Sequence, residues 1–149
     1  MTSYRTTLLK IAAALWVIWG LVHILAGVIV LSSDATGAIQ AIADGVDPAT
    51  LVGDYPAALN GILNQHGWNL LWFGVATLVG AIFIWRGTLT AIWVTALVGG
   101  MADIGYFVFV DLPGFVNFVP GTIMTVVSAS AILLSFWAWL APRSATATS

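Results

Sequence analysis

The sequence predicts an all-α fold: an antiparallel four-helix transmembrane bundle with a short interfacial helix in its first outer loop. Three observations carry this expectation. The 149-residue chain is 60% hydrophobic and only 7% charged, whereas soluble domains carry about 25% charged residues. Four stretches approach the ~20 apolar residues needed to cross a hydrocarbon core. The charges also sort by sign between alternate connections. All six acidic residues are Asp, and Asp34, Asp44, Asp47, Asp54 and Asp111 fall in one set of connections, while Arg5, Lys10, Arg86 and Arg143 fall in the other. Only Asp103 lies inside an apolar stretch, and only His23 among the histidines lies deep inside another.

The first span is expected at residues 11–31, after Arg5 and Lys10. Basic residues before an apolar run resemble a signal peptide. The run is longer than the usual apolar region of about 7–15 residues, and no clear small-x-small pattern ends it, so it reads as a retained helix. Residues 32–64 form the one long connection. Within it, Ala38, Ile39, Ala41 and Ile42 suggest a short amphipathic helix on the membrane surface, bracketed by Gly37 and Gly45. Tyr55-Pro56 suggests the start of a helix that runs into the second span, residues 65–85, with Gly61 and Gly67 as places for a bend. Arg86-Gly87 is a tight turn into the third span, residues 89–110. Asp111-Leu112-Pro113-Gly114 ends that span, because Pro cannot continue the hydrogen-bond ladder and Gly permits a turn. Pro120 suits the first turn of the fourth span, residues 121–141, and Pro142 stops it. Residues 1–143 then form one membrane domain and residues 144–149 a disordered tail.

Orientation follows from Lys and Arg, which favour the cytoplasmic side. With four spans, all four basic residues share one face, so both termini are expected inside and the Asp-bearing loops outside. Trp85, Trp137 and Trp139 near the inner ends and Trp68 near an outer end suit interface anchors. The scarcity of Lys and the abundance of Ala, Gly and Val suggest a bacterial source, hence a multi-pass protein of the bacterial cytoplasmic (inner) membrane.

Composition also removes whole classes of chemistry. Cysteine is absent, which excludes disulfides and thiolate catalysis. There is no basic run, so nucleic acid is not expected as a partner. No H-x-x-x-H or E-x-x-H pair occurs, and no metal is expected. A haem between His23 and His66 is disfavoured by their different expected depths. There is no G-x-S-x-G for a hydrolase nucleophile. The sequence names no cofactor.

Counting about 1.5 Å of rise per residue brings a polar group from several spans to one level. His23 lies roughly 20 Å above Lys10, Asp103 roughly 22–24 Å above the turn at Arg86, and Ser128 and Thr125 roughly 20–24 Å above Ala141. Asn69 and His66 lie at roughly 25 and 30 Å, nearer the outer mouth. On helical stripes, Trp16, Gly20, His23 and Gly27 share one face, as do Gly99, Gly100, Asp103, Tyr106 and Phe107. An isolated carboxylate in hydrocarbon costs at least about 2.5–3.5 kcal/mol. Asp103 must therefore be protonated, paired or hydrated, and a contact with His23, direct or through water, is the expected answer. Helix-packing roles are the plainer alternative for each of these residues.

Four short spans, the G-x-x-H-x-x-x-G stretch Gly20–His23–Gly27, a long first outer loop and a tight inner turn make the chain resemble the small bacterial DoxX-like membrane proteins and related four-helix families. The resemblance covers the span arrangement over most of the chain and implies association with a quinone- or redox-linked membrane complex. It carries over no catalytic residue. The expected role is binding of an apolar or lipid-like ligand at His23, His66, Asn69, Asp103, Tyr106, Thr125 and Ser128, as an accessory subunit of a redox complex. A membrane enzyme doing proton-transfer chemistry on a lipophilic substrate, with His23, Asp103 and His66 as candidate catalytic groups, is one alternative. A structural or oligomerising helper subunit is the other. Expected partners are the lipid bilayer, an apolar small molecule, and further copies of the chain or a larger membrane complex.

Overall fold

The computed structural model describes residues 3–141, and within them all regular structure is helical, with no strand. Pro142, Arg143 and the expected tail lie outside the described residues. Helix α1 runs Ser3–Leu31, α2 Ala35–Ile42, α3 Ala57–Trp85, α4 Leu89–Tyr106 and α5 Ile123–Leu140. A π-helical turn, Phe107–Asp111, extends α4, and a second, Phe118–Thr122, precedes α5. Four of these segments are long and apolar enough to cross a membrane: Tyr4–Leu31, Ala57–Trp85, Leu89–Asp111 and Phe118–Leu140.

Helix ends follow local chemistry. Asp34 caps α2 by accepting a hydrogen bond from the Gly37 amide at 2.8 Å, which satisfies one of the free donors of a helix start. Gly37 is therefore inside α2 rather than before it. Pro56 stands just ahead of α3, as Tyr55-Pro56 suggests. Gly87 takes φ 79°, and the amides of Gly87 and Thr88 donate back to the carbonyls of Ile84 and Phe83 at 2.8 and 3.0 Å. That pair of bonds closes a helix when a left-handed residue follows it, a conformation glycine adopts freely. Gly114 at φ 82° ends the α4 extension in the same way, with Gly114 and Phe115 donating to Asp111 and Val110. Pro120 does not open a regular helix. Val119 before it is extended (φ −117°, ψ 126°), and the α-helix proper starts at Ile123.

The long helices pack as the sides of a square, α1 on α3, α3 on α4, α4 on α5 and α5 on α1. Along α1 and α3, Gly20 meets Gly74 and Thr77, while Gly27 meets Gly67 and Leu71. Gly67 thus serves close packing inside a continuous α3, not a bend. At the other edge the Arg5 Nε donates to the Ala138 carbonyl at 2.6 Å, satisfying a carbonyl near the end of α5.

The distribution of residue sizes is the reverse of a soluble domain. Ala12, Ala13, Ala131 and Ala138 are buried, whereas Leu21, Leu25, Leu97 and Leu133 are between 55% and 69% exposed. Small residues between helices and large aliphatics facing outward are what lipid-facing helices require, because close backbone approach, not apolar burial, holds them together. Larger side chains enter the interior at a few positions, two of them indoles. Trp16 and Trp19 are fully buried and fill the centre of the square. Trp16 reaches across to α4, where Gly99 leaves space for its ring. The packed core is concentrated in the half that holds Leu8, Leu9, Ile84 and Ile92.

A methyl group added at two glycines separates packing from propensity. At Gly20 it would lie 2.8 Å from the Gly74 carbonyl oxygen and 2.9 Å from Thr77 Oγ1, while at Gly61 it would meet nothing within 4 Å. Thermal unfolding in detergent should show Gly20→Ala losing about 1–3 kcal/mol and Gly61→Ala neutral or more stable by up to about 1 kcal/mol. Equal effects at the two positions would contradict this packing.

Candidate functional site

The site is built around Asp103, which is 4% exposed on α4. Trp19 lies across the square on α1, and its Nε1–H donates to Asp103 Oδ2 at 2.8 Å. The same indole stacks on the His23 imidazole, with ring centroids 3.5 Å apart and planes 18° from parallel. One side chain therefore holds both the acid and the base. His23 lies four residues after Trp19, on the same face of α1. Its Nδ1 is 2.9 Å from the Trp19 carbonyl oxygen. A carbonyl only accepts, so Nδ1 carries the proton and Nε2 is the free ring atom. That Nε2 faces Asp103 Oδ1 at 3.9 Å, beyond hydrogen-bond range. The expected acid–imidazole neighbours are thus brought together, with a gap that a shift of about 1 Å would close to a hydrogen bond once Nε2 or the carboxyl carries a proton.

Ser128 of α5 completes the surroundings of the carboxylate. Its hydroxyl faces Asp103 and also lies 3.1 Å from the Thr125 carbonyl oxygen. A hydroxyl has one proton, so it serves one of these acceptors at a time. The Thr125 hydroxyl is buried without a hydrogen-bond partner.

Above this cluster is a partly open cavity of about 90 Å³. His23, His66, Asp103 and Tyr106 supply its polar wall, and Val22 and Leu70 are among its apolar residues. Four of the seven sequence-level candidates therefore line one space. The other three do not. Ser128 and Thr125 stand behind Asp103, and the Asn69 side chain instead accepts from Trp72 Nε1 at 3.1 Å on an exposed face. Among the described residues no three His or carboxylate side chains gather as a metal site.

The roof of the cavity comes from α2, through Ala41 and Ile42. This helix packs on α1 and α3, with Ala35 and Ala38 buried. The loop after it is fastened to the connection before α5. The Gly45 amide donates to the Phe115 carbonyl at 2.9 Å, and the Asn117 amide and side chain donate to Asp44 at 2.9–3.2 Å. Gly45 makes this approach because a Cβ there would lie 2.9 Å from the backbone of Phe115 and Val116. The Pro120–Gly121 step forms another wall, and the absence of a side chain at Gly121 leaves room for the Tyr106 hydroxyl.

Sequence reasoning missed Trp19 and the placement of the expected helix at residues 38–42 as a roof over the site. Trp19 had a readable signal. A buried indole N–H needs an acceptor, and Asp103 is the one carboxylate inside a span. The roof had none, because it depends on how two loops meet.

The Trp19–Asp103 bond sets a coupling that can be measured. Trp19→Phe should cost about 1–3 kcal/mol by leaving a buried carboxyl without its donor. Combining it with Asp103→Leu should cost less than the sum of the two single changes by about 0.5–3 kcal/mol. Strict additivity in chemical unfolding of the four proteins would contradict the contact. Comparison with protein-family models, with curated proteins and with solved structures gives no match to this chain.

Proposed function

We propose that the chain is a four-span antiparallel protein of a bacterial cytoplasmic membrane, with both termini inside, whose outer cavity binds the polar end of an apolar, lipid-like molecule. The cavity carries this reading. It joins His23, Asp103 and Tyr106 to apolar walls between helices, and binding pockets are typically apolar with a few convergent polar groups. Its volume decides how much of a ligand it takes. About 90 Å³ is far below the ~300–1,000 Å³ of sites that enclose a whole small molecule. The ligand therefore places a small head there, a hydroxyl or carbonyl, and leaves its tail among the lipids. A quinone, a sterol or an isoprenoid alcohol has that form. His23 Nε2 accepts from a hydroxyl head. The Tyr106 hydroxyl, 3.5 Å from the Ile42 carbonyl oxygen, donates to a hydroxyl or carbonyl head, and α2 lies at the outer interface as the roof.

The resemblance to DoxX-like proteins adds the accessory subunit of a redox complex as the setting in which such a ligand would be met. A second reading has its own observation. The 3.9 Å separation of His23 Nε2 and Asp103 Oδ1 at the cavity wall would let a proton pass between them through a bound hydroxyl or a water, which is general acid–base chemistry on a lipophilic substrate.

Antiparallel packing is supported by the pairing of Gly20 with Gly74 and of Gly27 with Gly67, and by the link from Arg5 to Ala138. Orientation is supported by the separation of Lys and Arg from Asp. The chain has no cysteine, so single cysteines report cleanly. In intact cells, an impermeant thiol reagent should label Gly53→Cys and spare Thr88→Cys. The reverse pattern would overturn the orientation.

For the ligand, mass spectrometry of lipid extracts from the purified protein should find a retained apolar molecule in the wild type. Retention should fall at least about tenfold in Asp103→Ala and in Ala26→Phe, which fills the cavity. An empty wild type, or equal retention in all three, would remove the binding reading.

A further inference from the structure

The half of the molecule opposite the cavity holds a second concave feature. Where α1 and α3 pass near the basic residues, Ala13 and Ala14 face the region of Ala81 and Ile82, and small side chains leave a trough on the outside of the bundle. Val17 and Ile18 form its further part. The trough measures about 770 Å³ and its walls are almost wholly apolar. It ends at Trp85 and Arg86.

Two cations stand at that end. Lys10 Nζ lies 5.1 Å from the centroid of the Trp85 ring, and the Arg86 guanidinium carbon lies 5.9 Å from the centroid of the Phe83 ring. Among the described residues no carboxylate pairs with either of them. Sequence order explains this, because every Asp belongs to the outer connections except Asp103, which Trp19 holds. Arg5, on the same side, is engaged with the carbonyls at the end of α5. Lys10 and Arg86 therefore form a positive site at the mouth of an apolar trough.

We propose that this trough is a binding site for an anionic phospholipid, with an acyl chain along Ala14, Val17 and Ile18 and the phosphate between Lys10 and Arg86. The inference rests on the membrane reading above and is independent of the outer cavity. Charge selects the occupant. A neutral apolar molecule fills the trough and leaves both cations without a counter-charge. A zwitterionic headgroup brings a cation of its own to them. An anionic headgroup satisfies both ends of the site at once. Dimensions agree with this. From Lys10 to Ile18 the helix rises about 12 Å, less than half of the ~30 Å hydrocarbon core, so the trough stays within one leaflet. Orientation by Lys and Arg puts that leaflet on the cytoplasmic side, where anionic lipids attract juxtamembrane basic residues.

The test is native mass spectrometry of the full chain released from micelles containing equal amounts of phosphatidylglycerol and phosphatidylcholine. The wild type should retain phosphatidylglycerol at least about tenfold over phosphatidylcholine. Lys10→Gln with Arg86→Gln should lower that preference by about tenfold or more, given roughly one decade or less per basic residue near a membrane surface. Ala14→Trp, which fills the trough and keeps both charges, should lower retention of both lipids. If the double variant fails to fold, Arg86→Gln alone, at an exposed turn, should still lower the preference. Equal retention of the two lipids by the wild type, or an unchanged preference without the charges, would overturn the proposal. So would displacement of the lipid by millimolar inorganic phosphate, which would indicate a phosphate site with no part for the chain. Ala26→Phe should leave this preference intact, so loss at the outer cavity and loss at the trough are distinguishable.

Discussion

A carboxylate in the middle of an apolar bundle must be given a hydrogen-bond donor, and the rest of the structure is arranged around the one that Asp103 receives. Placing it there costs at least about 2.5–3.5 kcal/mol. A hydrogen bond to a charged group returns about 1.5–3 kcal/mol. The Trp19 indole alone nearly balances the cost. A long donor is needed because α1 and α4 stand on the diagonal of the square, where their backbones do not approach. Trp19 spans that diagonal, and Trp16 below it does the same against Gly99. The small residues along the sides of the square and the two large ones at its centre are one design: close edges and a filled middle.

The centre is filled unevenly, and this gives the two ends of the molecule different capacities. Toward Lys10 and Arg86 the interior is filled by Leu8, Leu9, Trp16, Ile84 and Ile92. What space exists there lies outside, between α1 and α3, and is apolar with cations at its rim. Toward α2 the interior opens above Trp19, and the space is internal with His23, Asp103 and Tyr106 in its wall. The stacking of His23 on Trp19 marks the boundary between the two regimes. The bonds of Asp44 to Asn117 and of Gly45 to Phe115 hold the roof over the open half.

Most of the helical plan was legible in the sequence because it depends on local properties. Apolar length marked four spans, Gly87 and Gly114 marked the turns at which two helices end, and Tyr55-Pro56 marked the start of α3. The start of α1 was less legible, because amphipathic residues extend its apolar run, and α1 begins at Ser3, ahead of its apolar core. The level shared by His23 and Asp103 was also legible, since rise per residue is fixed. The side chain that holds both was not. Periodicity gives a face but not a neighbour, and the reach of Trp19 to Asp103 depends on which helices lie diagonally. Asn69 illustrates the same limit. Its depth was suitable, but its rotation about α3 turns it to Trp72 and away from the cavity.

The most direct measurement is the ¹⁵N–¹H spectrum of the indole groups in lipid nanodiscs, with Trp19 assigned by substitution. A hydrogen bond to a buried carboxylate should make the Trp19 indole proton the slowest of the eight Trp to exchange with water, and its resonance should move markedly in Asp103→Asn. An indole that exchanges as fast as the exposed Trp68, and that is unmoved when Asp103 changes, would contradict the arrangement from which both the cavity and the packed core have been explained.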